Sequence, residues 1–242
     1  LKQIAQGSKG LFIAVDEVQD APVEEMRIIA STVQLLIGEK VNIALAFAGL
    51  PSGVMDLING KALTFLRRAV PEDLAPINQI EIALSLSDSF NATGLSLDGD
   101  LLSKAARATK GYAYLVQLVG YSIWQRANLH REKSTLVSER DVDEGILLAE
   151  ARFHDVVHEP AISGLSRNEI NYLYAMCEDS KQSKTSDVAK RLGKKTSELS
   201  SVRAKLLSRE VIQAPQRGYV QFAVPDLDEY LKDNRDEILS RY

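Results

Sequence analysis

Disulfides are the first thing the sequence excludes. The chain of 242 residues holds one cysteine, Cys177, so no disulfide framework staples it, and that usage suits a reducing cytoplasm. Neither a histidine nor a metal-ligand spacing accompanies Cys177, which reads as a small apolar residue inside a helix. No apolar run approaches the roughly 18 residues needed to cross a membrane, and no signal peptide is visible. Internal repeats and low-complexity tracts are also missing. The net charge of −4 excludes general attraction of the whole molecule to polyanions. What remains, 45% apolar and 26% charged residues, is the composition of an ordinary globular protein with room for about two compact units.

A phosphate-cradling loop of the form G-x-x-x-x-G-K-[ST] is absent too. Gly7-Ser8-Lys9-Gly10 has suitable residue types but the wrong spacing, and it precedes a strand rather than a helix. The chain opens at Leu1, not Met. The expectation is the back portion of a longer protein, a poor nucleotide binder on its own.

The most informative stretch that is present runs from Leu11 to Asp20. Five apolar residues, Leu11 to Val15, lead into adjacent carboxylates, Asp16 and Glu17. A continuous apolar run predicts a strand buried on both faces. Acids at its end would stand at the carboxyl edge of a parallel sheet, where open α/β folds bind ligands. There the first acid can reach a Mg²⁺ on a nucleotide and the second can orient or deprotonate a water, which is the Walker B logic.

Three stretches follow from the patterning. Residues 1–84 read as part of an α/β unit. Pro22 starts a helix carrying Met26, Ile29, Val33, Leu36 and Ile37, and Gly38 stops it. A second buried strand spans Val41 to Ala48 and ends in Gly49-Leu50-Pro51-Ser52-Gly53, a short helix covers residues 54–59, and a third strand runs from Ile77 to Leu84. Strand, helix, strand with short links implies parallel pairing. Residues 85–150 read as all helix: Ser87-Asp88 caps the first, Asp98 or Asp100 the second, Gly111 introduces a long third, and Ser138-Glu139-Arg140-Asp141 opens a fourth with a capping-box pattern. Residues 160–242 change character. Helices are expected from Leu165-Ser166, over Thr185 to Leu192 with Gly193 closing it, and over Thr196 to Arg209. Alternation from Val211 to Val224 around Gly218 then predicts a hairpin. Three helices and a hairpin is the order of a winged helix.

Charge supports that reading. From Lys181 to Arg217 there are ten basic residues, namely Lys181, Lys184, Lys190, Arg191, Lys194, Lys195, Arg203, Lys205, Arg209 and Arg217. Against them stand Asp187, Glu198 and Glu210, a local balance of +7 (ten less three). A basic patch inside an acidic chain is the footprint of a nucleic-acid binder, and Thr196, Ser197, Ser200 and Ser201 are small polar residues able to approach phosphates or base edges. A solvated basic face, or one that docks an acidic protein, fits the same residues.

The order of acid-tipped strand, second strand, arginine-bearing segment, helices and winged helix resembles the AAA+ and related STAND-type ATPases, in the branch of archaeal-type ATPases and origin-recognition-like initiators. The resemblance implies an α/β remnant of a P-loop ATPase core over residues 1–84, an all-α lid over 85–150 and a winged-helix domain over 160–242, mostly helical overall. It implies ATP and Mg as cofactors, with Asp16 holding Mg through water and Glu17 activating the attacking water. It aligns Ser52 with the polar residue after the second strand. It also aligns Thr64-Phe65-Leu66-Arg67-Arg68 with the segment where relatives carry an arginine for a neighbouring subunit's γ-phosphate, Arg68 before Arg67. A homo-oligomer through Arg68 follows from the same resemblance. Binding of double-stranded DNA through Lys184, Lys194, Lys195, Thr196, Ser200, Arg203 and Arg217 is expected from the basic patch, and no membrane partner and a cytoplasmic location are expected from the composition. The lid segment Thr109-Lys110-Gly111-Tyr112-Ala113-Tyr114 departs from the family's Gly-x-Pro-Arg turn: Ala113 replaces the proline and Tyr114 the arginine. That departure implies a slow switch rather than a fast motor.

Other classes fit some of the same residues. Asp16-Glu17-Val18-Gln19-Asp20 resembles the Asp-Glu-x-Gln-Asp motif of superfamily 1 helicases, but the next strand leads to Gly49-Leu50-Pro51 instead of their Gly-Asp-x-x-Gln. A signalling or defence STAND ATPase would use its winged helix for protein contacts, and a non-enzymatic winged-helix module on a dead core is a further alternative. His154 and His158 have a ligand spacing on a helix, with Asp155 and Glu159 nearby, but Pro160 is expected to break the segment. Trp124 and Tyr121 are expected to pack the lid.

Overall fold

A computed structural model of the chain describes residues 10–49, 54, 57–58, 64–72, 74–132 and 134–241. The chain is mostly helical and divides into two compact units, residues 1–73 and 74–242.

In the first unit β1 (Leu11–Val15) pairs in parallel with β2 (Ile43–Phe47), Leu11 opposite Ile43 and Val15 opposite Phe47. The crossover is α1 (Val23–Gly38). Pro22 precedes it with extended backbone, and Glu24 and Glu25 in the first turn complement its dipole. Met26, Ala30, Val33 and Leu36 form its buried stripe. Gly38 is the last helical residue rather than the stop, and Lys40, at φ 60°, makes the left-handed turn into β2. Leu11, Ile13, Val15, Ile43, Leu45 and Phe47 share the face covered by α1, Leu57 and Leu66. Among the described residues nothing is seen to cover the opposite face: Phe12 is 67% exposed, and Ala14, Ala44 and Ala46 are exposed beside it. This corrects the expectation of strands buried on both faces. An apolar run shows that both faces can be covered, not that they are.

The second unit begins with a four-helix bundle of α2 (Gln79–Ala92), α3 (Gly99–Ala108), α4 (Ala113–Asn128) and α5 (Glu139–Phe153). Helix α2 overturns the third strand expected over Ile77 to Leu84. Ile80, Ile82 and Leu84 do alternate, but the stripe that packs is Ile82, Leu86 and Phe90, four apart, while Ile80 and Leu84 face solvent. Its cap is Asn78, whose Oδ1 accepts from Ile80 N–H at 2.8 Å. Ser87 and Asp88 lie inside the helix. Asp98 caps α3, and Ser138 and Asp141 form a reciprocal capping box on α5. Helices α4 and α5 come close at Gly145, where a Cβ would sit 2.6 Å from Ile123 Cγ1 and 2.7 Å from its Cα.

Helix α5 does not stop at Phe153. It widens into a π-turn over His154–His158, in which Glu159 N–H reaches back to the His154 carbonyl, and continues as α6 (Glu159–Ile162). Proline has no N–H and its ring crowds the carbonyl four residues earlier. The wider i→i+5 turn supplies that room, so Pro160 is absorbed where the sequence predicts a break.

The rest is α7 (Arg167–Met176), β3 (Ser183–Lys184), α8 (Thr185–Arg191), α9 (Ser200–Ser208), β4 (Ile212–Gln213), β5 (Tyr219–Phe222), α10 (Leu227–Asp233) and α11 (Arg235–Ser240). The strands form an antiparallel sheet in the order β3-β5-β4. Ile170, Leu173, Val188, Leu206, Val220, Leu227, Leu231 and Ile238 make one closed core. Each such side chain contributes about 1.5–3 kcal/mol on burial. Helix α9 starts at Ser200, four residues later than expected. Lys195 N–H donates to the Glu198 carboxylate at 2.7 Å, closing a turn that sinks Leu199 into the core before the helix begins.

Candidate functional site

In the first unit the candidate residues gather at the carboxyl end of β1. Ala48 N–H donates to the Val15 carbonyl at 2.8 Å, and Val18 N–H donates to the Ala48 carbonyl at 3.1 Å. This fixes the backbone on both sides of Asp16 and Glu17. Asp16 Oδ1 accepts from Glu17 N–H at 2.9 Å, and Glu17 adopts φ 52°. A left-handed non-glycine residue of this kind costs free energy and clusters at functional sites. Val18 is buried while both carboxylates are exposed. The Glu17 carboxylate accepts from Gln19 Nε2. Gly49, two residues past β2, packs against this loop: a Cβ there would lie 2.6 Å from Gln19 Oε1 and 3.0 Å from Val18 N. Gln19 and Gly49 therefore join the candidate residues at this edge, which the sequence reading does not assign.

Arg67 and Arg68 end a single 3-10 turn, Thr64–Arg68, and both are exposed. Leu66 beside them packs in the same cluster as Val18. Ser52 lies outside the described residues. Among the described residues no group of three or more His, Cys, Asp or Glu could hold a metal ion. His154 and His158 instead stack on one another and on Tyr230, and His130 bonds Asp141 at 3.1 Å.

In the second unit, strand β3, helix α8, the Leu192–Leu199 turn, helix α9 and the β4–β5 hairpin carry the basic residues named for DNA contact. The hairpin is tied to α8 by Thr185, whose N–H and Oγ1 both donate to the Gly218 carbonyl, at 2.9 and 3.1 Å. This brings Arg217 beside the start of α8. Lys184, Lys190, Lys194, Lys195 and Arg217 are exposed, Arg203 is half-buried, and none of the six forms an ion pair among the described residues. Thr196 and Ser200 are exposed at the turn and the first position of α9. Arg191 leaves the patch: it bonds Asp179 and Glu178 and donates to the Ala175 carbonyl at 2.8 Å. Its partners lie twelve or more residues away in sequence, which is why composition counts it as available. Burial pushes the Cys177 thiol up to about 12, so it is inert as a nucleophile.

A family model described as a domain of unknown function, DUF8462, matches residues 155–231. No curated protein matches the chain. Among solved structures it is similar to a point mutant of Thermotoga maritima RuvB, at TM-score 0.47 and 14% identity over 91% of this chain and 69% of that one. Another structure of that protein, described as a Holliday junction branch migration motor, gives 0.45 and 14% over the same shares. The ORC2 protein of Aeropyrum pernix, solved in ADPNP-ADP complexes, gives TM-score 0.55 and 12% identity over 95% of this chain. At that score the chain shares the fold of the ORC2 structure. It spans 66% of the ORC2 chain.

Proposed function

We propose that this chain is the lid, partial core and DNA-facing domain of an AAA+ nucleotide-dependent switch. The observation that carries the DNA-facing part is that Lys184, Lys190, Lys194, Lys195, Arg203 and Arg217, on β3, α8, the following turn, α9 and the hairpin, form no ion pair among the described residues, within a protein of net charge −4. Residues 160–242 are read as a winged helix, with α9 as the element nearest the DNA and the β4–β5 hairpin as the wing. Lys184, Lys194, Lys195, Arg203 and Arg217 neutralise phosphates of a duplex, and Thr196 and Ser200 supply short hydrogen bonds to it.

The acids at the end of β1 suit the nucleotide part. Mg²⁺ is commonly held by one or two carboxylates together with substrate phosphates, and Asp16 is one exposed carboxylate with an oxygen beyond that engaged by Glu17 N–H. Asp16 would hold Mg²⁺, whose charge neutralises the phosphates when bound. Glu17 orients or deprotonates the attacking water, and Gln19 positions its carboxylate. Arg68 reaches a neighbouring subunit's nucleotide in a homo-oligomer. With no G-x-x-x-x-G-K-[ST] sequence among its residues, the chain alone binds nucleotide weakly.

Fluorescence anisotropy of the chain with a labelled duplex, titrated at several salt concentrations, tests the DNA part. The logarithm of the affinity should fall linearly with log salt, by about 0.9 for each phosphate neutralised. Replacing Lys194, Lys195 and Arg203 by Gln should lower that slope by about one for each phosphate left without its cation. No binding at low salt would move the basic face to a protein partner and favour the signalling STAND reading.

A further inference from the structure

We propose that His158 is a protonation-sensitive clasp between the helical bundle and the C-terminal domain, closed while its imidazole is neutral and opened when the ring gains a proton. The clasp stands on geometry. His158 is 1% exposed. Its Nε2 lies 2.7 Å from the Pro225 carbonyl, and a carbonyl only accepts, so Nε2 carries the hydrogen of the neutral ring. Nδ1 is buried with no hydrogen-bond partner among the described residues. Phe153 meets the ring edge-on at 4.8 Å, and Tyr230 and His154 stack near it at 5.0 Å. A second proton would enter at Nδ1, where no acceptor waits among the described residues.

The bond holds a corner that is otherwise unfavourable. Pro225 has no N–H, and Asp226 after it adopts φ 57°. From that corner Asp226 pairs with Lys110 of the bundle, and Val224 packs against the bundle core. On the other side of the π-turn Glu159 accepts from the Tyr230 hydroxyl at 2.8 Å and pairs with Arg241. The same helix, running unbroken through the π-turn, therefore presents both the imidazole and the carboxylate to the C-terminal domain.

The charged groups facing His158 do not welcome a cation. His154 and Lys110 oppose one, and Asp226, which favours one, is already paired with Lys110. Burial is the largest influence and pushes His158 below the ordinary histidine value, with the Pro225 carbonyl pulling the other way. The closed state thus binds fewer protons than the open one. The clasp is intact above about pH 6.5, the value of a free imidazole, and weakens as pH falls below it, toward tenfold per pH unit in the opening constant for one proton taken up.

Two measurements on the full chain decide the matter. NMR titration of the His158 ring should give a value below the ordinary one and the Nε2–H tautomer at neutral pH. Amide hydrogen exchange over Leu227–Leu231, corrected for intrinsic rates, should accelerate as pH falls below about 6.5, by up to about tenfold per unit. His158→Gln keeps an N–H donor for Pro225 and cannot titrate, so its exchange should be flat with pH, while His154→Gln should retain the response. An ordinary titration of His158 in the wild type overturns the proposal without recourse to any variant. So does exchange that responds to pH equally in wild type and His158→Gln.

Discussion

The two compact units treat their apolar residues differently. In residues 74–242 each helix of the bundle and of the C-terminal domain turns its stripe into a closed core, with Ile123, Ile170, Leu173, Leu206 and Leu231 fully buried. In residues 1–73 the parallel pair covers one face and leaves Phe12, Ala14, Ala44 and Ala46 open, and α1 exposes Ile28 and Leu35. Parallel sheets are stable when both faces are covered; among the described residues this sheet has two strands, and even a two-stranded hairpin is marginal by itself. The difference separates a part that specifies its own fold from a part whose acids are presented on a frame that a further layer would stiffen.

The largest effect that would break this contrast comes from cutting between the units. Residues 74–242 expressed alone should keep helical circular dichroism and melt in one cooperative transition. Residues 1–73 alone should show no cooperative transition. If the short piece melted cooperatively as a monomer, the contrast would be wrong. Point substitutions sharpen it at smaller scale. Leu206→Ala, in the middle of the C-terminal core, should cost about 2–5 kcal/mol in denaturant unfolding. Ile28→Ala, at a residue 63% exposed, should cost within about 0.5 kcal/mol. Comparable losses at the two sites would mean that Ile28 is covered in solution.

Much of this organisation is legible because it is local. The acid-tipped strand, the Met26, Val33 and Leu36 positions of the α1 stripe, the first of the two α3 caps offered, Asp98, and the Ser138–Asp141 box are read from neighbouring residues and found in place, whereas Ile37, placed on the same stripe, is exposed. What fails is decided at a distance or by competition between periods. Ile80, Ile82 and Leu84 satisfy a two-residue period over five positions, yet Asn78 caps a helix that extends the four-residue stripe to Phe90. Whether a second layer covers Phe12 is not encoded in Phe12. The helices after Asp226 escape the sequence reading although Leu227, Leu231 and Ile238 carry helical spacing. At the candidate sites Asp16 and Glu17 are legible from adjacency. The removal of Arg191 by Asp179, and the clasp of His158 on Pro225 67 positions on, are not.

The smallest effect concerns helix caps, where the units also differ. Helix α1 has no side-chain cap, whereas α5 and α7 each carry a capping box, Ser138 with Asp141 and Ser166 with Glu169. Burial pushes both carboxyls up, but it is outweighed. Asp141 is held below its ordinary value by Ser138 and His130, and Glu169 by Ser166, with Lys205 and Arg209 adding to it. A depressed carboxylate contributes stability that is complete above its unfolded value, about 3.9 for Asp and 4.3 for Glu. That contribution is lost as pH falls through the folded value. Asp141→Asn should therefore cost about 1 kcal/mol at pH 7, and the gap from wild type should close as the pH of urea unfolding is lowered from about 5 toward about 3. The closing is the informative part. A gap that stayed constant across that range would assign the loss to packing around Asp141, and the charge of the box would then contribute nothing to the unit that holds itself together.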